Sequence, residues 1–346
     1  MAFTQGLCEA FQTYLNDVAG KNAPALKRDR VGYLDALLSN LNTDGIEKIP
    51  VPSDGKYKET LIKFYQRGIA SNIDEDCSGI LDCTGSVEQE PFEKKVAVDD
   101  CISTKGLIFT EDEMRKLCES DATWISNIVM GQMNAINVEL DKRIITDQSA
   151  NFGDFADGTS LKEVPLFTDA PENAPRSIAM AQIRHQYEEV GAVGVPLIIG
   201  SGNFDLYAKS TEIACCNSSV GTDLSLWNDY AYYNDRFVEG IAGAGHFIVL
   251  APNVNQLLTW NKYLGSYAKR NDVFEHGTIT DPFTGLTYDM KVHYDDCTEK
   301  YVIKLFLHYK LFQLPANSFN AGDEFAGVNY TFDWKDCSEI AECPAP

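Results

Sequence analysis

Residues 56–68, KYKETLIKFYQRG, place Thr60, Ile62 and Phe64 on one side of an extended chain and Tyr57, Leu61 and Tyr65 on the other, because successive side chains alternate across the pleat. About two dozen acidic, Gly- and Ser-containing residues follow, and FEKKVAV at 92–98 then resumes strand character, with Phe92, Lys94, Val96 and Val98 opposing Glu93, Lys95 and Ala97. The pair predicts an antiparallel hairpin of unusual length. Extended from Lys56 to Arg67, its first arm would reach about 40 Å, roughly twice an ordinary strand. A two-stranded hairpin is marginal by itself in water, and neither half is apolar enough to make a core. Whatever this chain folds into must supply burial to a ribbon that has too little of its own.

The elements around the ribbon narrow the choice. Before it, LCEAFQTYLNDVAG (7–20) and VGYLDALLSNL (31–41) read as short amphipathic helices, each suited to covering another surface and neither long enough to be stable alone. IPVPSDG then marks a boundary near residue 52, since two prolines and a glycine interrupt regular structure. After the ribbon, Thr110 and Glu113 have capping-box spacing. Met114, Leu117, Cys118, Ile125, Ile128, Val129, Ile136, Leu140 and Ile144 recur at helical steps. The spacing predicts a long helix with a break near Ser120, ended by DQSANFGDFADGTS (147–160). A second helix is expected over 175–191, with Asn173 as N-cap, Met180, Ile183, Tyr187 and Val190 on one side and Gly191 at its end. It feeds the strand VPLIIG; the strand HFIVLA and a helix over 253–269, NVNQLLTWNKYLGSYAK, complete an α/β region at 175–270. TYDMKVHY and YVIKLFLHYKLF then read as a β-hairpin with a half-buried face, and VNYTFDW as a further strand.

Chemistry-bearing patterns are sparse. GIAGAGHF places its glycines before a strand, the reverse of a dinucleotide fingerprint, and reads as a tight loop. GSGN at Gly200 follows a strand but lacks the Lys and Ser/Thr of a phosphate-binding loop. His185, His246, His276, His293 and His308 show no metal spacing, and there is no G-x-S-x-G elbow. Cys118 and His185 read as a packed thiol and a surface imidazole. The 10 cysteines, about 3% of the chain, contain no Cys-x-x-Cys and read as reduced thiols, Cys215 and Cys216 as small buried ones. No catalytic, cofactor-binding or metal residues are expected.

A formal net charge of -22 repels nucleic-acid backbone, so sequence-specific DNA binding is not expected; KRDR at 27–30 is a solvated turn. No run approaches the ~18 apolar residues of a membrane helix, and the N-terminus lacks a signal-peptide pattern. The reading is a soluble chain made in a cytoplasm, with no membrane partner. The sequons at Asn217 and Asn329 matter only in a secreted protein.

In order, KYKETLIKFYQR…EPFEKKVAVDD, then LIFTEDEMRKLC leading into a long helix, and finally DPFTGLTYDMKVHYDDCTEKYVIKLFLHYKLFQLP resemble the major capsid proteins of tailed bacteriophages, the Hong Kong 97-like fold. The resemblance implies an α+β fold divided into an N-terminal arm (1–52), an extended E-loop (53–107), a peripheral domain with a long spine helix and sheet (108–174 and 271–346) and an axial α/β domain (175–270). It implies a subunit that self-assembles through hexamers and pentamers into an icosahedral shell around DNA, with portal and minor capsid or decoration proteins as partners, in a virion built in a bacterial cytoplasm. Tyr57, Leu61, Ile62, Phe64, Tyr65, Phe92, Val96 and Val98 would then be E-loop residues buried on a neighbouring subunit, at roughly 1.5 to 3 kcal/mol per side chain. No motif here marks the Lys–Asn crosslinks or the protease-cut leader of some family members, and a chain opening at Met1 is expected to lack a long leader. The alternatives are an encapsulin-like compartment enclosing protein cargo, a minor virion protein, and a soluble α/β enzyme with a site near Gly200–Asp205.

Overall fold

In a computed structural model the chain is described at residues 13, 16, 29, 31–39, 46–50, 59–64, 92–113, 122–151, 162–164, 166, 178–189, 194–202, 204–209, 230–243, 245–250, 252, 255–264, 268–270, 274–313 and 330–334. In chain order the elements are α1 (Gly32–Ser39), β1 (Ile46–Pro50), β2 (Glu59–Phe64), β3 (Phe92–Ala97), β4 (Asp100–Ser103), β5 (Leu107–Thr110), α2 (Ala122–Asn151) and β6 (Lys162–Val164). They continue with α3 (Ile178–Glu189), β7 (Leu197–Gly200), β8 (Ala231–Asn234), α4 (Val238–Ala242), β9 (Phe247–Leu250) and β10 (Asn255–Trp260). The last are β11 (Ala268–Arg270), β12 (Phe274–Thr280), β13 (Thr287–Asp295), β14 (Lys300–Gln313) and β15 (Tyr330–Trp334). Helices and separate sheets make the architecture α+β. The chain divides into two compact units, one of residues 1–34, 98–143 and 257–310, the other of residues 35–97, 144–256 and 311–346.

The first unit is built on a sheet ordered β10-β14-β13-β12-β11, with β4 and β5 also paired to β14. The expected hairpin is here. Tyr288, Met290 and Val292 on β13 and Ile303, Leu305 and Leu307 on β14 are buried, alternating with partly exposed Lys291, His293, Val302 and Lys304 as the pleat requires. The buried side faces α2. Asn137 on that helix donates from Nδ2 to Asp281 Oδ2 (3.1 Å) and accepts the Tyr288 hydroxyl. Val129, Ile136, Leu140 and Ile144 are buried on α2, positions of the stripe that the sequence spacing predicted, and Met133, outside that reading, is buried too. The capping box also forms: the Thr110 N–H donates to Glu113 Oε2 at 2.7 Å and the Glu113 N–H to Thr110 Oγ1 at 3.4 Å. α2 ends at Asn151, within the stretch 147–160 expected to end it, and is 30 residues in all, about 45 Å at 1.5 Å per residue. Residues 114–121, with the expected break at Ser120, lie outside the described residues, as do KRDR apart from Asp29, whose N–H donates to Asn134 Oδ1 at 3.3 Å.

In the second unit a mixed sheet runs β6-β15-β9-β7-β8. β7 and β8 are parallel, whereas β9 is antiparallel to both β7 and β15. LIIG and FIVL are buried throughout, the continuous apolar run of strands covered on both faces. The sheet draws strands from 162–164 and 330–334, so the α/β region is not confined to 175–270. α3 buries Met180, Ile183 and Tyr187, and the Tyr230 hydroxyl donates to the Met180 carbonyl at 2.6 Å. Burial pushes the Tyr187 phenol upward.

One expectation is corrected. The segment at 253–269 is not a helix: Asn255–Trp260 and Ala268–Arg270 are strands. Asn255, Gln256, Leu257 and Leu258 are buried in succession, which a strand enclosed on both faces allows and a one-sided helix does not. IPVPSDG also does more than stop the chain, because Ile46–Pro50 forms β1 against β2. Pro50 sits at the end of an edge strand, where its missing N–H costs no ladder bond.

Candidate functional site

The ribbon is a three-stranded antiparallel sheet ordered β1-β2-β3. Of the twelve residues expected in its first arm, 59–64 are strand and the remainder lie outside the described residues. The register sets Thr60 opposite Val96, Leu61 opposite Lys95, Ile62 opposite Lys94 and Phe64 opposite Phe92. One face therefore carries Thr60, Ile62, Lys94 and Val96, and the other carries Leu61, Lys63, Glu93 and Lys95.

The two faces differ in kind. Ile62 is 0% exposed, Val96 8% and, just past β3, Val98 0%. All three are covered by their own chain. Lys94 Nζ stands 5.5 Å from the Phe312 ring centre on that side. The other face is wet: Glu93, Lys95 and Ala97 are exposed, Leu61 is partly exposed, and Lys63 Nζ lies 2.5 Å from Glu93 Oε1. Ile62, Val96 and Val98, expected to be buried on a neighbouring subunit, are thus already covered within one chain. Of the eight residues, Leu61 remains on the open face. Phe64 and Phe92 are strand residues whose side chains are not described, and Tyr57 and Tyr65 lie outside the described residues. The register decided the faces, and the sequence could not reveal β1 as the strand that fixes it.

α1 is likewise held by its own chain. Tyr33, Leu34, Ala36 and Leu37 are buried, and the Leu34 N–H donates to Asp141 Oδ1 at 2.9 Å. The carboxylate meets the positive end of a helix, where a negative charge is stabilising.

The corner at Gly200–Asp205 sits where the parallel strands β7 and β8 end together, the usual place for a ligand in a parallel sheet. Its polar groups are engaged with one another. The Asp235 N–H donates to the Gly200 carbonyl (2.9 Å), the Phe204 N–H to the Ser201 carbonyl (3.0 Å) and the Glu239 N–H to Ser201 Oγ (3.2 Å). Asp205 accepts from the Tyr232 hydroxyl at 3.2 Å and pairs with Lys209. Desolvation alone would raise the Asp205 carboxyl. The hydrogen bond from Lys209, followed by those of Asn234 and Tyr232, outweighs it and holds the carboxyl below the usual range. A carboxylate with a depressed value stabilises the fold above its unfolded value and loses that contribution as pH falls through the folded one. Asp205→Asn is thus expected to lower the urea midpoint at neutral pH, by under about 1 kcal/mol because Lys209 is largely in water. The difference from wild type closes below about pH 4; a pH-independent difference would exclude the ion pair as its source.

The glycine cluster is a tight turn, as its sequence indicated. Gly243 adopts φ 126° and ψ 156°, a region essentially reserved for glycine, and Gly245 has φ 80°. The histidines do not converge: His308 stacks on Trp260 (5.6 Å between centres) and His276 on Tyr263 (4.3 Å). Among the described residues no three His, Cys, Asp or Glu side chains stand together as a metal site, and no helix is long and apolar enough to cross a membrane. Cys101 and Cys297 are exposed; Cys118 and the sequon asparagine 217 lie outside the described residues, as does Asn329.

No family model matches the sequence, and no curated protein matches it. Among solved structures the chain is similar to the capsid of Ralstonia phage GP4 at 13% identity, over 94% of this chain and 95% of that one, with a TM-score of 0.47. It is similar to a chain of the cyanophage A-1(L) capsid asymmetric unit at 10% identity, over 90% and 94%, with a TM-score of 0.47. A Mycobacterium phage Bobi chain is similar at 13% identity, over 92% and 98%, with a TM-score of 0.44.

Proposed function

We propose that this chain is the major capsid protein of a tailed bacteriophage, a subunit that assembles through hexamers and pentamers into an icosahedral head shell around DNA. The observation that carries the reading is the order and kind of its elements. A short arm helix precedes an antiparallel ribbon whose two longer arms are 27 residues apart in sequence, between Phe64 and Phe92 as 65–91. A 30-residue helix then leads into a mixed-sheet unit, and the chain returns to finish its first sheet with a 14-residue strand. These are the parts that the sequence resembles: arm (1–52), E-loop (53–107), spine helix and peripheral sheet (108–174, 271–346) and axial region (175–270).

In this role the protein acts by repetition of one contact. Each subunit gives a ribbon and receives another, a heterologous contact that closes into rings. The net charge of -22 suits a wall that does not adhere to packaged DNA. Portal and decoration proteins are the further partners this role entails, and a bacterial cytoplasm is where assembly takes place.

Purified protein examined by negative-stain microscopy and sedimentation velocity is expected to show closed shells of uniform diameter. A monomer that stays monomeric across concentration and salt would overturn the reading. Shells recovered from cells with protein cargo and no DNA would favour an encapsulin-like compartment.

A further inference from the structure

We draw no further inference here: the strongest candidate, the apolar patch of Ile108, Val302 and Phe306 on the open side of the first unit's sheet, carries none, because nothing in the structure shows what covers it.

Discussion

Asn137→Asp is expected to destabilise the protein by about 3–5 kcal/mol at pH 8, with much of the loss recovered at pH 5. Asn137 is 1% exposed, and Asp281, to which its amide donates at 3.1 Å, is 5% exposed. The same Asp281 carboxylate accepts the Phe283 N–H at 2.9 Å and the Thr284 hydroxyl at 2.9 Å. Exchanging the amide for a carboxylate removes a donor and sets two acids together out of water. One must then hold a proton in the folded state, so its folded value lies above its unfolded value. The sign follows: the penalty is small below the ordinary carboxyl range and grows as pH rises through it. Asn137→Ala provides the contrast, losing hydrogen bonds without adding charge, at about 1–3 kcal/mol and with little pH dependence. Urea midpoints of the three proteins at pH 5 and pH 8 check both statements. Equal pH dependence in all three would mean that Asn137 and Asp281 are not neighbours in the folded chain.

That pair also shows why part of this fold was legible and part was not. The apolar stripe of α2 could be read because Val129, Ile136, Leu140 and Ile144 repeat at helical steps and all face the interior. The polar residues of the same helix could not. Asn134, Asn137, Asp141 and Gln148 recur at steps of three, four and seven, a second helical stripe that composition marks as solvent-facing. Their partners lie more than a hundred positions away: Asp29 for Asn134, Asp281 for Asn137, Leu34 for Asp141 and Asn255 for Gln148. Local spacing carries no trace of a hydrogen bond across such a distance.

The error at 253–269 has the same origin. Leu257, Trp260 and Leu264 fall at helical intervals, but Asn255 donates to Gln148 at 2.8 Å from a strand added to β14. Tertiary pairing overrode a weak local pattern. The 287–313 hairpin was read correctly because its pattern has period two over two long runs, with one exception. Asp289 lies on the polar side yet is 2% exposed, drawn in by the backbone N–H groups of a turn that only the folded chain brings near. In the candidate site, alternation told which ribbon residues share a face. It could not tell which face the chain covers itself, because that depends on β1 and on the side occupied by Phe312.

The second large effect separates those faces within one strand. Leu61 and Ile62 are consecutive and project to opposite sides of the ribbon. Ile62→Ala removes three buried carbons from a fully covered position and is expected to cost the unassembled subunit about 2–5 kcal/mol, seen as a lower urea midpoint before any shell is formed. Leu61→Glu puts a carboxylate opposite Lys95 on the partly exposed face, so the subunit's own stability should change by no more than about 0.5 kcal/mol. Shell yield should fall all the same, since a neighbour covering this face would have to desolvate the new charge. The opposite pattern, Ile62→Ala folding as stably as wild type while failing to assemble, would mean that the buried face belongs to the contact between subunits after all. Assembly unaffected by Leu61→Glu would remove the outer face of the ribbon from that contact.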